Sequence, residues 1–374
     1  MDFVLKDDQR LIRDMVREFS QKELYDAAAE IDAEAKFPRD IFKKMSRLGL
    51  LGLSIPEKYS GGRMDALSIA IAVEEMAKGC ASTAIIFAVH NIVSYAISNF
   101  GTDEQKKLLP ELATGKTLTA MSLIEPDSSD CVVDLSLTAS RQDGKYILNG
   151  EKRLVVGGEY FKHILLLAKD ENNSPLLFII DNEVDGIMRG DVEETVGIRG
   201  ARCTKISFEN AVIPAESVLG DENRQVDYLE KISSFAKILV SACAVGISER
   251  ALELTSEYAF QRRQFEKFIG EFQGYRWMVA DMDVDISSAQ THLYRTASLF
   301  EQGRASSRDC AIIKILSSRT AVKSTTDAIQ LRGGIGYMKE YPNERMFRDA
   351  KALEFAFGKI QSQKDIIAEK VFGK

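Results

Sequence analysis

The stretch from residue 330 to residue 363 carries the residue types with the clearest chemical use. Gly333, Gly334 and Gly336 follow an apolar helical pattern that ends at Leu331. Glycines at this density cannot continue a helix, and they permit positive φ angles and the close approach of a ligand. Main-chain N–H groups in such a turn can bind phosphate, although a plain helix cap has the same pattern. The turn is therefore a candidate phosphate site.

The segment that follows this turn makes the pattern more specific. The sequence reads Q-x-x-G-G-x-G at residues 330–336, E-Y-P at residues 340–342 and R-x-x-R-D-A-K at residues 345–351. In this order and spacing the motifs resemble the C-terminal segment of the acyl-CoA dehydrogenase family, and the resemblance covers nearly the whole chain. It implies an FAD-dependent oxidoreductase that acts on an acyl thioester.

The same comparison leaves the catalytic base unidentified. In the family, R-D-A-K is followed by a short segment ending in Tyr-Glu-Gly-Thr, and that Glu is the usual base. Counted without gaps, these positions hold Ala356, Phe357, Gly358 and Lys359. A phenyl ring cannot accept a proton. Some relatives carry the Glu on a long helix instead, where the matching residue here is Ala236.

Glu354 is the weak remaining candidate for a base. It would reach the usual position only if the segment shifted by one helical turn, which requires compensating gaps. Glu230 is further away along the chain. Simple surface charge explains both residues equally well, so the sequence assigns no catalytic base.

Composition limits the broad class of protein. The chain has 374 residues, 45% of them hydrophobic, and a formal net charge of −7, which argues against nucleic acid and anionic membranes as partners. We expect no membrane insertion, because by this interpretation no apolar run approaches the roughly 20 residues of a membrane helix. The 5 cysteines are scattered and the 3 histidines far apart. We therefore expect a cytoplasmic protein without a metal site.

Hydrophobic periodicity divides the chain into three parts. Residues 1–119 and 222–374 have helical spacing of apolar residues, whereas residues 120–221 alternate as strands do. These parts predict an α+β fold with an N-terminal helical domain, a central β-barrel-like domain and a C-terminal four-helix bundle. Asp143-Gly144 and Asn149-Gly150 are both favoured tight-turn pairs, so a short strand is expected between them.

The resemblance assigns cofactor contacts to several residues of the C-terminal part. Arg262 matches the Arg that meets the FAD pyrophosphate, and a guanidinium suits that role. A solvated surface charge is the alternative interpretation of this residue. The other matching positions are Phe265, Phe272, Gln273, Gln330, Gly333, Gly334 and Gly358.

The β part departs from the family where side chains meet the flavin. Residues 122–130 resemble the family's flavin loop, but Ile124 replaces its Thr; residues 151–158 resemble its K-x-W-I-T-N-G strand, but Leu154 replaces the Trp. Main-chain N–H groups do not depend on side chains and could still hold the ring. The resemblance therefore implies cofactor contacts from Leu123, Ile124, Ser129, Val155 and Val156.

Substrate contacts are implied only by position. The family places the helix that contains His90 and Asn91 along the acyl pocket, although a His satisfied within a helical core is the simpler interpretation. Lys237 lies where relatives carry a basic residue for the CoA or the pocket. Ala236 and Tyr337 complete the implied set.

Three functional hypotheses remain open at this point. The preferred one is a flavin enzyme for an acyl thioester on CoA or an acyl carrier protein, with altered chemistry and an electron-transfer flavoprotein as its candidate partner. The second is a non-catalytic subunit that supports an active partner. The third is an acyl-CoA-binding protein with little flavin. The resemblance also implies a homo-oligomer, a tetramer or a dimer.

Overall fold

A computed structural model describes residues 4–123, 125 and 134–373 of the chain. The described residues form a helical part, then a curled β-sheet, then a second helical part. This order confirms the α+β architecture predicted from the sequence.

The first part is a layer of helices around two apolar helices, α4 (Ala66–Gly79) and α5 (Ala81–Phe100). Asp65 caps α4 by accepting a hydrogen bond from Ser68 N, which satisfies a main-chain donor at the helix start. The next helix carries no charged side chain and is buried on nearly every side. The helices are α1 (Asp7–Phe19), a π-helical turn (Ser20–Leu24), α2 (Ala27–Ala33), α3 (Arg39–Arg47), α4 (Ala66–Gly79), α5 (Ala81–Phe100) and α6 (Leu109–Ala113).

The sheet has seven strands in the order β1-β4-β2-β3-β7-β6, with β5 paired to β4. β1 and β4 run parallel, as do β2 and β4 at one residue pair, and the other pairs are antiparallel. The strands are β1 (Thr119–Ser122), β2 (Thr138–Gln142), β3 (Lys145–Val155), β4 (His163–Lys169), β5 (Pro175–Asp181), β6 (Ile187–Val192) and β7 (Thr204–Pro214).

One predicted turn of the sheet is wrong. Asp143 and Gly144, with φ angles of 47° and 75°, form the hairpin turn between β2 and β3 as expected. Asn149-Gly150 does not end the strand, because β3 continues to Val155 with a register shift between Leu148 and Gly150. A Cβ on Gly150 would lie 2.7 Å from a neighbouring carbonyl oxygen. The pair therefore marks a bulge rather than a turn.

The last part is built from long helices that pack on the helix α9 (Ser307–Arg332). Ser306 and Asp309 form a capping box at the start of α9. A short hairpin lies between the first two helices: β8 (Arg263–Gln264) and β9 (Lys267–Phe268). The helices are α7 (Gln225–Ala259), α8 (Gln273–Glu301), α9 (Ser307–Arg332), α10 (Pro342–Leu353) and α11 (Ile360–Phe372).

Two helices are long and apolar enough, by length and composition, to cross a membrane. They are α5 and the segment Glu222–Ala259, which contains α7. The prediction that no apolar run approaches this length is therefore wrong. In both helices 89% of the apolar window is buried inside the fold, so they are core helices.

Candidate functional site

The main candidate site is an apolar cavity of about 500 Å³ between the sheet and α10. This volume is typical of a small-molecule site. Its walls come from the ends of β1 and β3, from the loop of residues 195–198, and from α10 with the segment after it. The lining residues include Leu123, Glu125, Leu154, Val156, Ile198, Lys351, Phe355, Phe357 and Lys359.

Strained main chain is concentrated in this cavity wall. Leu154, Ile198 and Phe357 have φ angles of 54°, 53° and 53°, which lie in the left-handed region that non-glycine residues rarely adopt. Each such residue costs of the order of 1–3 kcal/mol and persists only where its surroundings impose it. The wall therefore has a shape that the packing around it enforces.

Phe357, which the resemblance aligns with the usual base, opens onto the cavity. Phe357 is a lining residue, as are its neighbours Ala356 and Lys359. Glu354 is not among the lining residues; its carboxylate pairs with Lys351. The structure therefore gives Glu354 an ion pair at the end of α10 rather than a place in the cavity.

Among the described residues, Glu125 is the one carboxylate that lines the cavity. Its oxygens accept hydrogen bonds from Lys152 Nζ at 2.7 Å, Ser136 N at 2.6 Å and Leu137 N at 3.3 Å. Burial alone would raise the pKa of Glu125, but the Lys152 ammonium and these bonds lower it overall. Such a carboxylate is a poor proton acceptor.

Lys152, the partner of Glu125, is completely buried. Burial lowers the pKa of this ammonium to about 8, against the opposing attraction of the Glu125 carboxylate. The ion pair joins the segment after β1 to the middle of β3. It therefore braces the sheet side of the cavity.

A second group of predicted cofactor residues forms an open groove of about 510 Å³ at the end of α9. Arg262, Gly333 and Gly334 line it. A Cβ added at either glycine would meet nothing within 4 Å, so a ligand can approach their main chain. Only Gly333 has a positive φ, of 71°. The guanidinium of Arg262 and the glycine turn therefore lie in the same groove.

The remaining predicted cofactor residues lie around these two places. Val156 and Leu123 line the cavity, whereas Val155 is fully buried in the sheet core. Gly358, with a φ of 115°, lies between two lining residues. Phe265, Phe272, Gln273 and Gln330 are exposed on the helical part. Ile124 and Ser129 lie outside the described residues.

Within the described part of the chain, the cavity and the groove have no lining residue in common. Residues that the resemblance assigns to one FAD thus occupy two separate places on one chain. Phe265 near the groove is 87% exposed and Tyr337 is 80% exposed, which is unusual for aromatic side chains. One chain therefore presents two partial sites.

The predicted substrate residues are not brought to the cavity. His90 is fully buried, its Nε2 lies 3.1 Å from Leu112 O, and its Nδ1 lies 3.3 Å from Thr119 Oγ1. Burial lowers the pKa of His90 to about 4, so it is the satisfied core histidine. Asn91 Nδ2 donates to Phe87 O at 3.1 Å. Ala236 and Lys237 are buried on α7, and Tyr337 lies on the surface.

Sequence reasoning missed the loop of residues 195–198 and the helix α10. No helix is predicted from the sequence for the charged run of residues 345–351, but Pro342 starts a helix that contains it. Pro342 at the first helical position was the available signal. No local pattern marks the loop as part of a site.

Comparisons with known proteins show similarity over nearly the whole chain. The N-terminal, middle and C-terminal domains of acyl-CoA dehydrogenase match residues 6–116, 120–211 and 228–372. The short-chain specific acyl-CoA dehydrogenase of Clostridium acetobutylicum is 36% identical, with 100% of both chains covered. The acryloyl-CoA reductase (NADH) of Anaerotignum propionicum is also 36% identical, covering 99% of this chain and 96% of that protein.

Solved structures give the same result. Butyryl-CoA dehydrogenase from Megasphaera elsdenii superposes with a TM-score of 0.94 at 32% identity, over 100% of both chains. A chain solved in work on the electron transferring flavoprotein of Acidaminococcus fermentans has a TM-score of 0.95 at 32% identity, again over 100% of both chains. The FAD complex of PigA has a TM-score of 0.93 at 28% identity, covering 99% of both.

Proposed function

Because the chain belongs to the acyl-CoA dehydrogenase family of flavoprotein oxidoreductases, we propose that it binds FAD and acts on an acyl thioester of CoA or acyl carrier protein. One observation carries the proposal: an apolar cavity of about 500 Å³ lies where the family-like segments of the sheet and of residues 348–359 meet. Its apolar walls suit a flat ring and an acyl chain.

The residues present fit such a cofactor. Leu123 and Val156 line the cavity, while Arg262 offers a guanidinium, and the Gly333-Gly334 turn an accessible main chain, for a pyrophosphate. FAD, when bound, would supply acceptance of a hydride equivalent from the acyl group. The protein's part is to bind and orient the thioester and to exclude water.

A homo-oligomer follows from the separation of the two partial sites. The groove of one copy and the cavity of another would together hold one cofactor, and exposed Phe265 and Tyr337 would be covered. Light scattering during size-exclusion chromatography should therefore give at least a dimer. A monomer at micromolar concentration would contradict this arrangement.

The chemistry is proposed to differ from ordinary dehydrogenation. Phe357 occupies the usual base position, and the one described lining carboxylate, Glu125, is held by Lys152. Removal of an α-proton needs a free, positioned carboxylate. We therefore expect weak α,β-dehydrogenation of simple saturated thioesters.

That no free carboxylate is found among the described residues of the cavity wall also favours a second candidate function. A non-catalytic subunit that keeps the cofactor site would support an active partner subunit in a mixed oligomer. The alternative of an acyl-CoA-binding protein without flavin does not use the groove of Arg262 and Gly333, so it is less well supported.

The deciding experiment is an absorption spectrum of the purified protein, titrated without oxygen with a panel of acyl thioesters. The proposal expects a flavin band that is bleached by at least one thioester. A yellow protein that no thioester bleaches, alone or with an electron-transfer flavoprotein, would favour the supporting subunit. A colourless protein that FAD does not restore would contradict the proposal.

The proposed setting is the cytoplasm, with an electron-transfer flavoprotein as the possible redox partner. Similarity to a chain studied with such a flavoprotein supports that partner. Neither nucleic acid nor membrane insertion is expected, given the net charge of −7 and the burial of the apolar helices.

A further inference from the structure

A buried carboxylate on α10 holds part of the cavity wall. Asp349 is 5% exposed, and its Oδ1 accepts a hydrogen bond from Ile198 N at 2.5 Å. Ile198 lines the cavity and has a φ of 53°. A β-branched residue adopts this conformation only under constraint. The bond from Asp349 therefore compensates part of the strain at Ile198.

Other contacts show that the loop of residues 195–198 follows α10 closely. Arg348 Nη1 donates to Val196 O at 2.9 Å. A Cβ added at Gly197 would lie 2.2 Å from Arg348 O, so the two main chains are in direct contact. Asp349 accepts a hydrogen bond from Ile198, the next residue of the same loop. A change at Asp349 therefore affects the cavity wall rather than the surface.

The surroundings of Asp349 explain its protonation behaviour. Burial raises the pKa of Asp349 to about 6, and Asp32 adds to the rise, whereas the Ile198 N–H and two guanidinium groups oppose it. A small cavity of about 60 Å³ borders Asp349 and has room for a water molecule or two. The charged and titratable groups that face Asp349 or line this small cavity are Tyr25, Asp32, Lys78, Cys80, Cys243, Arg250, Arg345 and Arg348.

We propose that Asp349 is a positioning residue for FAD binding, whose ionised carboxylate holds the loop of residues 195–198 in the conformation that binds the cofactor. The inference rests on the proposed function. Hydrogen bonds to a charged acceptor are stronger than those to a neutral one. Protonation of Asp349 therefore weakens the hydrogen bond that it accepts from Ile198 N, and lowers the affinity for FAD.

Stability responds to the same protonation in the opposite direction. A carboxyl whose pKa is raised on folding binds its proton more tightly in the folded state than in the unfolded state. Its contribution to the free energy of unfolding therefore falls as pH rises from its ordinary value of 3.8 to about 6. Through Asp349, a lower pH should therefore raise the free energy of unfolding while it lowers the affinity for FAD. A residue that only supported the fold would change both quantities in the same direction.

The test compares the protein with the D349N variant, which keeps an oxygen acceptor without the charge. FAD affinity is measured by quenching of flavin fluorescence at about pH 7.5 and about pH 5.5, and stability by urea unfolding. Because a carboxyl with a pKa of about 6 stays about one-quarter ionised at about pH 5.5, we expect the dissociation constant of the unaltered protein to rise about three-fold to four-fold at the lower pH. D349N should show the weaker affinity at both pH values, with no loss of unfolding free energy at about pH 7.5.

The matched control is D309N, which removes the carboxylate that accepts a hydrogen bond from Ser306 N at the start of α9 and pairs with Arg295. This variant should lose stability but keep the FAD affinity and its pH dependence. If D349N binds FAD as the unaltered protein does at both pH values, or loses affinity and stability together, the inference is overturned. An unaltered protein that binds no FAD at either pH would overturn the proposed function and this inference with it.

Discussion

The ammonium of Lys314 lies 2.9 Å from the carbonyl oxygen of Leu353, at the end of α10. Lys314 is fully buried within α9, and its Nζ also donates to Glu354 O at 2.8 Å. The last carbonyls of a helix lack partners within the helix, and a cation there is favourable. Lys314 thereby fixes the point at which the chain leaves α10 for Phe355 and Phe357 in the cavity wall.

Replacing Lys314 by Met should therefore destabilise the protein. The change K314M leaves two buried carbonyl groups without this donor, at a cost of about 1–3 kcal/mol each if no water replaces it. Urea unfolding measures the loss. The control K323M removes an exposed ion pair with Asp285, which should cost less than about 1 kcal/mol. Equal stability of the two variants would contradict the role given to Lys314.

The buried pair of Glu125 and Lys152 should behave as a coupled unit. The change E125Q keeps an acceptor for Ser136 N but leaves a buried ammonium unpaired, which should cost about 3–5 kcal/mol of unfolding free energy. The double variant E125Q/K152M should lose clearly less than the sum of the two single losses. Urea unfolding of all four proteins gives the coupling energy, and simple additivity would argue against the pair.

The pH dependence of that pair has a defined sign. The pKa of Lys152 is lowered from 10.5 to about 8, so between these values the unfolded chain binds the proton more readily than the folded one. The unfolding free energy should therefore gain a contribution from Lys152 as pH rises from about 8 to about 10.5. In K152M this contribution should be missing, which the difference between two urea series across that pH range would show.

Introducing a carboxylate at Phe357 should restore ordinary proton abstraction. The change F357E places an acceptor in the cavity wall, and a positioned general base contributes about 10²-fold to 10⁴-fold in rate. The rate of flavin bleaching by butyryl-CoA should rise by about 10²-fold. The control F357L reshapes the wall without adding a base and should give no gain. If F357E and F357L bleach at the same rate, Phe357 does not occupy the base position.

Arg262 should contribute to cofactor affinity without affecting the fold. It is exposed at the groove beside Gly333, and a hydrogen bond to a charged group is worth about 1.5–3 kcal/mol. R262A should raise the FAD dissociation constant by about ten-fold to a hundred-fold, as flavin fluorescence would report. R141A removes an exposed Arg that pairs with Glu222 and should leave the affinity unchanged. A similar loss in both variants would remove Arg262 from the site.

Much of this protein could be predicted from local sequence patterns. Helical and alternating spacing gave the three parts, because side-chain periodicity is a local property of helices and strands. The glycine turn at Gly333, the Arg262 motif and the phenyl ring at residue 357 could likewise be assigned by motif. Each depends only on residues that are neighbours in the chain.

The tertiary structure decided which charged groups reach the cavity. Glu125 meets Lys152 from a separate segment, and Asp349 meets Ile198 from a segment about 150 residues away. No local pattern encodes such meetings, because burial and pairing depend on how distant elements pack together. For the same reason, only the folded chain shows that the groove at Arg262 and the cavity at Phe357 are separate.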